Sequence, residues 1–434
     1  MAWGKKTGVD DLLQKLKNPK TAKSLYVMST RSMSDSDFVR LASSISSNTL
    51  LEELYLSGHE LGRQGLQAFA ECLAMNSTLK HLSLGSERLG DEAVQILCAG
   101  LARNAQSGLQ YWDLEFKALG LDGVSAVAEL LKTNKVLMTV ALSRNQIGDE
   151  GVETLAKGLS ENAESGVKEL QLTDVGISGT GLDHLALVMK KNLVTTLQLS
   201  FNGLETATSK FFEALATNKS LMKLQLKECK LKDEHVAALA AALKDNTTLV
   251  EIDLSDNELT HAACVSLAEG LCENKALKIL RLNNNKCQDE GAKALADVLA
   301  AHNTTLTYLD MGNNGLTSAG MTPLLKAQSL TQLHLFNNKL GEGLNDLLPA
   351  LLANSVIETF GIGANQLHEV LSVTLFDALH AHPSLKTLEM GGNTLGKEGH
   401  DALDKLKAVN RTLDVAVDKN AQNEDGSFDF QNQQ

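Results

Sequence analysis

Leucines recur along almost the whole chain in one fixed frame, which begins again after about 28 residues. The frame reads Leu-x-x-Leu-x-Leu-x-x-Asn-x-Leu, and two clear copies begin at Leu249 and Leu277. Further copies begin at Leu51, Leu79, Leu109, Leu137, Val167, Val194, Leu221, Leu306, Leu330, Ile357 and Leu385, and a degenerate copy surrounds Leu25 and Val27. A repeat of this length is typical of a solenoid, in which each unit packs against its neighbours. The 434 residues are therefore predicted to form one continuous array instead of several globular domains.

Within each repeat the hydrophobic period changes from that of a strand to that of a helix. In the copy that begins at Leu249, Ile252 and Leu254 alternate with polar residues, which indicates a short strand. Further on, Ala263 and Leu267 fall at helical spacing. One such unit cannot bury both its strand and its helix, so we predict parallel stacking of strand–turn–helix–turn units. Helices are wider than strands, and the stack should therefore curve with its strands inside.

The frame resembles that of the leucine-rich repeat family, and about fourteen copies of it cover nearly the whole chain. Spacings of mostly about 27 to 30 residues, with a helix-like stretch in each repeat, resemble the ribonuclease-inhibitor-like subfamily. This resemblance implies an α/β solenoid shaped like a horseshoe, with a parallel β-sheet on its concave face and helices on its convex face.

Asparagine recurs at the ninth position of the frame. The asparagines are Asn145, Asn202, Asn257, Asn285, Asn314, Asn338, Asn365 and Asn393. A buried amide in this turn can satisfy backbone groups that the bend leaves unpaired, and in the family these side chains form an asparagine ladder. Other residues hold the position in the remaining repeats, namely Thr30, His59, Glu87, Lys117, Val175 and Cys229. Most of these lie early in the chain, so we expect less regular turns in the N-terminal third.

Three Asn-x-Ser/Thr sequences, at Asn76, Asn246 and Asn303, have the pattern of glycosylation acceptors. Each lies at the same junction between a predicted helix and the next strand. Asparagine followed by serine or threonine suits such a turn, and we interpret these residues as turn residues.

One repeat, which begins at Leu306, is shorter than the others. We expect its helix, around Pro323, to be short because the missing residues come from the helical stretch. A kink or shallow groove is therefore predicted on the convex side near residues 318–328.

The two ends of the chain depart from the repeat. Residues 7–17 read as a short amphipathic helix, with Val9, Leu12, Leu13 and Leu16 on one face. Terminal repeats need a cover for their exposed core, so we assign residues 1–20 to an N-terminal capping helix. The leucine-rich repeat array then spans residues 21–415. Residues 416–434 form a polar C-terminal tail that we expect to be disordered.

Composition excludes several classes of function. The net charge of −13 argues against non-specific binding to nucleic acid. No apolar run approaches the roughly 18 residues of a membrane span, and the first residues lack the apolar core of a secretory signal. The six cysteines have no Cys-x-x-Cys spacing, and we interpret them as reduced thiols instead of metal ligands. This favours a cytoplasmic location, with the nucleus as an alternative.

Aromatic residues make up 4% of the chain, yet many fall where the core does not need them. Positions three, five, seven, eight and ten of the frame are not needed for the hydrophobic core. The odd-numbered positions among them are expected to face the concavity. They hold Tyr26, Tyr55, Tyr111, Phe116, Phe201, Tyr308 and Phe336. These aromatic residues form two candidate partner-binding groups, one with His81 and Asp113 at the N-terminal end and one with Asp310 and His334 at the other. Tyrosine supports this interpretation because it is enriched at protein interfaces. The alternative is that tyrosine at an exposed strand position is simply a good strand residue.

Charged residues occupy the middle of the same face. Stacking of the frames places Lys223 beside Glu251 and Asp253 beside Arg281, so that the charges compensate one another across adjacent strands. Asp253, Asp256 and Arg281 remain secondary candidates for partner binding, since such a strip can steer a partner.

No enzyme motif is found, neither a glycine-rich phosphate loop nor Gly-x-Ser-x-Gly nor His-Glu-x-x-His. We therefore predict a non-catalytic scaffold that binds a protein partner through its concave face, without cofactor, metal or small-molecule substrate. One alternative is a regulator of a small GTPase, with candidate arginines at Arg31, Arg63, Arg88 and Arg144. The other is an inhibitor of a hydrolase.

Overall fold

The computed structural model describes residues 7–417, which fall into two compact units divided between Ala214 and Leu215. In each unit short parallel strands alternate with helices along the chain. The prediction of an α/β solenoid built from strand–turn–helix units is confirmed.

The first unit contains seven strands within the described residues. These are β1 (Ser24–Tyr26), β2 (Glu53–Ser57), β3 (His81–Gly85), β4 (Tyr111–Asp113), β5 (Thr139–Ala141), β6 (Glu169–Gln171) and β7 (Thr196–Gln198). Its helices are α1 (Asp10–Lys17), α2 (Asp35–Ser46), α3 (Arg63–Met75), α4 (Gly90–Ala102), α5 (Leu121–Leu131), α6 (Gly148–Glu161), α7 (Gly179–His184), α8 (Ala186–Lys191) and α9 (Lys210–Thr217), in which the unit ends.

The second unit repeats the same alternation. Its strands are β8 (Lys223–Gln225), β9 (Glu251–Asp253), β10 (Ile279–Arg281), β11 (Tyr308–Asp310), β12 (Gln332–His334), β13 (Thr359–Gly361), β14 (Thr387–Glu389) and β15 (Asp414–Ala416). Its helices are α10 (Asp233–Asp245), α11 (His261–Glu273), α12 (Gln288–Ala301), α13 (Ser318–Leu324), α14 (Leu344–Ala353), α15 (Glu369–Ala378) and α16 (Gly396–Val409). Short 3-10 turns lie at Gly341–Gly343 and Leu379–Ala381.

The core lies between the strands and the helices of each unit. Equivalent frame positions are paired in register, so that Leu54 lies beside Leu82 and Ile252 beside Leu280, and all four are buried. Parallel neighbours need a crossover, which the helix of each repeat supplies. The intervening strand residues point to the opposite side of the sheet, away from the helices; we call this side the strand face.

The ninth-position asparagines form the predicted ladder. Asn145 Oδ1 accepts hydrogen bonds from the amides of Lys117 and Leu119, both at 3.0 Å. Its Nδ2 donates to the carbonyls of Leu114 at 2.8 Å and Leu142 at 2.7 Å. The side chain is buried, so these bonds satisfy backbone groups that water does not reach.

A second asparagine ladder, which the sequence analysis did not foresee, joins the ends of the helices. Asn246 Nδ2 donates to the carbonyls of Leu215 at 2.7 Å and Asn218 at 3.3 Å, and Oδ1 accepts from the Leu249 amide at 2.8 Å. Asn76 and Asn303, the other two residues of the Asn-x-Ser/Thr sequences, make equivalent bonds and are also buried. Their interpretation as turn residues is confirmed.

The short repeat has a short helix, as predicted. Helix α13 contains 7 residues, and Pro323 lies inside its last turn, where the proline ring favours an early end. The groove on the convex side near residues 318–328 stays a prediction.

The N-terminal helix buries one face. Within and just before α1, Val9, Leu12 and Leu16 are buried, whereas Leu13 is half-buried. At the other end β15 closes at Ala416, and residues 418–434, most of the predicted tail, lie outside the described residues.

Candidate interaction surface

Four rings stack on the strand face of the first unit. The ring centroids of Tyr26 and Tyr55 are 4.3 Å apart with an interplanar angle of 5°. Tyr55 and His81 are 4.5 Å apart and tilted by 39°, and His81 and Tyr111 are 4.2 Å apart at 6°. These distances are close to the strand spacing of about 4.8 Å, so the parallel sheet itself brings the rings into contact. We call Tyr26, Tyr55, His81 and Tyr111 the N-terminal aromatic stack.

The strand register explains how rings from two different frame positions form one stack. Tyr26 is paired with Tyr55, and His81 is paired with Tyr111. Tyr55 itself is paired with Ser83, so it reaches His81 along the diagonal. Tyr26 and Tyr55 both hold position five of the frame, whereas His81 and Tyr111 hold position three. The small serine opposite Tyr55 was the available signal that its ring would lean toward the diagonal neighbour.

Burial favours the neutral forms of Tyr55, His81 and Tyr111. Burial raises the pKa of both Tyr55 and Tyr111 to about 12. Burial also lowers the pKa of His81, against the opposing fields of Asp113 and Glu53, which favours the neutral imidazole. Tyr26 is 63% exposed, whereas the other three rings are half-buried. The surface therefore combines apolar rings with polar tips, as tyrosine-rich interfaces do.

A chain of polar side chains runs beside the stack. Ser57 and Ser83 share a short hydrogen bond, and Ser83 Oγ donates to Asp113 Oδ2 at 2.5 Å. Lys117, which replaces the ladder asparagine in its repeat, extends its buried side chain to Ser57 and donates to Oγ at 3.4 Å. Burial lowers the pKa of Lys117, while Asp113 and Glu115 act in the opposite sense. Asp113 is thus held in a network that the sequence analysis did not foresee.

Two phenylalanines occupy strained positions at the rim of the same face. Phe116 has φ of 53° and Phe201 has φ of 62°, in the left-handed region that large side chains rarely adopt. Phe116 is 58% exposed and Phe201 is 43% exposed. Phe116 follows β4, the strand that carries Tyr111, whereas Phe201 follows β7, three strands further along. Backbone preference does not favour phenylalanine at either position.

The second predicted group forms a charged cluster in the second unit. The Arg281 guanidinium lies 5.1 Å from the centroid of the Tyr308 ring, and Tyr308 lies 5.0 Å from the His334 ring. His334 Nδ1 is 3.0 Å from Glu389 Oε2. This contact passes over Gly361, where a Cβ atom would lie 2.6 Å from Glu389 Oε2. The missing side chain on β13 therefore allows β12 and β14 to interact.

Burial controls the ionisation of this cluster. It raises the pKa of Asp253 and of Asp310, each of which also accepts a hydrogen bond from a backbone amide two residues further along. Burial disfavours the charged form of His334, but its bond to Glu389 and the fields of Glu389 and Asp310 outweigh this effect and raise its pKa. The histidine and its carboxylate partner therefore favour an ion pair.

The charged middle of the face is compensated within the chain. Lys223 Nζ lies 3.2 Å from Glu251 Oε1, and Arg281 Nη1 lies 2.5 Å from the same oxygen. Asp253 is paired in register with Arg281, as predicted, and is buried. Asp256 lies 3.6 Å from Lys227 Nζ. These residues interact with one another, which weakens the case for them as primary partner contacts.

Phe336, the remaining aromatic candidate, lies across a glycine-rich part of the second unit. A Cβ atom on Gly363 would lie 2.9 Å from Phe336 Cδ2, so the absence of a side chain makes room for the ring. Phe336 is half-buried. It follows β12 directly, as His334 ends that strand.

An open polar pocket of about 670 Å³ lies at the ends of β9, β10 and β11. Two of its asparagines form a chain with one of the candidates: Asn284 Nδ2 donates to Asp256 Oδ1 at 2.9 Å, and Asn313 Nδ2 donates to Asn284 Oδ1 at 2.8 Å. Asn284 and Asn313 were not among the residues predicted from the sequence. Polar residues at the eighth position of successive repeats were the available signal.

The arginines proposed for a GTPase-regulating role differ in accessibility. Arg31 is buried, and its guanidinium donates to Asp11 at 2.7 Å and to the Gly8 carbonyl at 2.7 Å. It therefore holds the N-terminal segment in place and cannot reach into a partner. Arg88 and Arg144 are exposed beside carboxylates at 3.7 and 3.5 Å, and Arg63 begins α3.

Two family models match the chain. The model described as the MHP1/HER1/GIP3 LRR domain matches residues 21–314, and one described as Leucine Rich repeat matches residues 381–403. Ribonuclease inhibitor from Mus musculus is 27% identical over 420 residues, which cover 94% of this chain and 79% of that protein. Ribonuclease inhibitor from Sus scrofa is 27% identical over 401 residues, which cover 90% of this chain and 75% of that protein.

Among solved structures, the internalin InlF from Listeria monocytogenes str. 4b F2365 is similar at 18% sequence identity with a TM-score of 0.44. The match covers 95% of this chain and 96% of that chain. Across residues 7–417, no helix has the length and apolar character needed to cross a membrane.

Proposed function

The chain belongs to the leucine-rich repeat family, and from that premise we propose that it is a non-catalytic scaffold that binds a protein partner through its strand face. The N-terminal aromatic stack forms the centre of the binding surface, and Asp113 and Phe116 lie at its edge. The second group, around Tyr308, is a weaker candidate. The proposed location is the cytoplasm, where the six free thiols would stay reduced.

The observation that carries this proposal is the continuous stack of four rings from Tyr26 to Tyr111 on a face that the core does not use. A rigid, preformed array of aromatic rings loses little conformational entropy when a partner binds. Tyrosine is also one of the residue types that dominate binding energy at many interfaces.

Phe116 provides a second, independent observation in favour of the same surface. A large side chain at positive φ costs on the order of 1 kcal/mol relative to glycine or asparagine. The equivalent turn position adopts comparable φ values in other repeats, where it holds Arg144 (57°), Glu228 (51°) and Asn284 (57°). This turn does not require phenylalanine, and with 58% of its surface exposed the ring is accessible to a partner.

The test compares partner recovery by the native protein, by a Tyr26/Tyr55/Tyr111→Ala variant and by Tyr308→Ala as the matched control in the second unit. Circular dichroism establishes that each variant is folded. We expect the triple variant to lose a partner that Tyr308→Ala retains. Recovery by the triple variant at the native level would reject the aromatic stack as the site.

A second candidate function is inhibition of a hydrolase, specifically a basic ribonuclease. It is favoured by the similarity to ribonuclease inhibitors over most of the chain and by the net charge of −13. Opposite net charges would steer the two proteins together at low ionic strength. The expected result is inhibition of a pancreatic-type ribonuclease that weakens as salt is added. Full ribonuclease activity in excess protein at low salt would exclude this function.

A further inference from the structure

The last ring of the N-terminal aromatic stack has a ring against one face and a small residue beside the other. His81 and Tyr111 are parallel within 6° at a centroid distance of 4.2 Å, so the two rings lie face to face across neighbouring strands. The second face of the Tyr111 ring therefore looks across β5. There the residue in register is Thr139, which is half-buried.

A carboxylate lies on the far side of this threonine. Thr139 is paired in register with Glu169 on β6, so β5 separates the carboxylate from the Tyr111 ring. All three side chains point to the strand face, and threonine is much shorter than either neighbour. A slot therefore opens above Thr139, with an aromatic ring as one wall and a carboxylate as the other. We call it the Thr139 slot.

The carboxylate is held in place and has one oxygen to spare. Glu169 Oε1 accepts hydrogen bonds from Gln171 Nε2 at 2.9 Å and from Gln198 Nε2 at 3.0 Å. Both donors come from β6 and β7, on the side away from the slot. Among residues 7–417, Oε2 of Glu169 receives no hydrogen bond. A ligand in the slot would therefore meet a positioned acceptor.

The electrostatic field in the slot is negative. Besides burial, the fields of Asp113, Glu169 and Glu115 raise the pKa of Tyr111, because each of these carboxylates would repel a tyrosinate. Arg144, whose side chain is exposed, lies 3.5 Å from Glu115 and offsets that charge only in part. An aromatic face in a negative field attracts a cation.

The width of the slot favours a guanidinium group over an ammonium group. Tyr111 and Glu169 are two strands apart, which is about 10 Å. A lysine ammonium would span only about 7 Å, from a ring contact of about 4 Å and a hydrogen bond of about 2.8 Å to the carboxylate. A guanidinium adds its own width and carries donors on opposite edges, so it can contact both walls at once.

We propose that the Thr139 slot binds an arginine side chain of the protein partner. One edge of the guanidinium faces the Tyr111 ring, and the opposite edge donates to Glu169 Oε2. This assignment rests on the proposed function for the existence of a partner, and it adds the chemistry of the group that the partner inserts. Thr139 and Glu169 are not among the residues of the aromatic stack itself.

The probe is the blocked tripeptide Gly-Arg-Gly, and its control is Gly-citrulline-Gly, which has nearly the same shape without the charge. The chain contains four tyrosines, so labelling of the full chain with 3-fluorotyrosine gives four ¹⁹F signals, and Tyr111→Phe identifies that of Tyr111. We expect the arginine peptide to shift the Tyr111 signal. The citrulline peptide should bind about tenfold more weakly or worse, because it loses a charge-assisted bond.

Two variants and one matched control locate the binding. Thr139→Leu fills the slot, and Glu169→Gln keeps the shape of the far wall but removes its charge. Thr196→Leu is the control, since Thr196 lies in register with Glu169 on its other side, on β7. Circular dichroism establishes that each variant is folded. We expect the first two to weaken binding of the arginine peptide by about tenfold or more and the control to leave it unchanged.

Three results would overturn the proposal. One is equal binding of the arginine and citrulline peptides, and another is an equal loss of binding in Thr139→Leu and Thr196→Leu. The third is binding that appears only in Arg144→Gln, which would mean that the chain's own Arg144 fills the slot.

Failure of the slot and failure of the proposed function give different results. The peptide assay needs no cellular partner, so binding of the arginine peptide supports the slot even if the aromatic stack recovers nothing. Conversely, a partner that Tyr26/Tyr55/Tyr111→Ala loses and Glu169→Gln binds at native affinity would support the surface and reject the slot.

Discussion

Replacing Asn145 by alanine should strongly destabilise the first unit, because this side chain satisfies buried backbone groups of two repeats. It accepts from two amides and donates to two carbonyls at 2.7 to 3.0 Å, and it is buried. Each buried group left without a partner costs about 1–3 kcal/mol. Some relaxation and entry of water will recover part of this. We therefore expect a loss of about 3–5 kcal/mol in the free energy of unfolding.

Asn393 provides a matched control for this prediction. Its side chain makes the same four kinds of bond, at 2.8 to 3.2 Å, but it is half-buried. Water can replace its bonds, so Asn393→Ala should cost only about 1 kcal/mol.

The assay is urea denaturation. Fluorescence of the buried Trp112 in β4 follows the first unit, and circular dichroism follows the whole chain. A loss below 1 kcal/mol for Asn145→Ala, or equal losses at the two positions, would refute the reasoning that burial makes the ladder costly to break.

Three further predictions concern single positions. Phe116→Gly should be more stable to urea than Phe116→Ala by about 0.5–1 kcal/mol, because glycine accepts φ of 53° without the strain that alanine incurs; the reverse order would mean that the turn relaxes. His334 has a raised pKa, so its contribution to stability is fully present below about pH 6.5 and is lost as the pH rises through the folded pKa. The difference in urea midpoint between the native protein and His334→Gln should therefore shrink as the pH rises above about 6.5, and a constant difference would contradict the ion pair with Glu389. His382 takes the place of a helix-end asparagine by bonding to the Leu351 carbonyl at 2.9 Å and the Leu385 amide at 3.1 Å, so His382→Asn should keep native stability, measured by thermal unfolding, whereas His382→Leu should lose about 2 kcal/mol.

The repeat made most of the fold predictable. The alternation of Ile252 and Leu254 with polar residues predicted strands, and the helical spacing from Ala263 predicted helices; both are observed in β9 and α11. The ninth-position ladder was predictable because a recurrent asparagine in a turn is best explained by hydrogen bonds from its amide to the backbone of that turn. The short α13 followed from chain length alone.

The contacts that could not be predicted join side chains of different repeats. Tyr55 reaches His81 along a diagonal, which the alignment of frames by column does not reveal. Lys117 looked like a ladder defect, but its long side chain crosses to Ser57. Arg31 looked exposed, but the N-terminal segment covers it through Asp11. In each case a contact between residues of different repeats decides the outcome, and the pattern within one repeat carries no information about it.

Photo-crosslinking from Phe116 would test the central claim most directly, because a benzoylphenylalanine at that position replaces one exposed aromatic ring by another. The control places the same group at Gln95, which is exposed on α4 on the helix side of the same unit. We expect a crosslinked protein partner from position 116 and none from position 95. A partner captured from position 95 and not from position 116 would contradict the claim that the strand face carries the function.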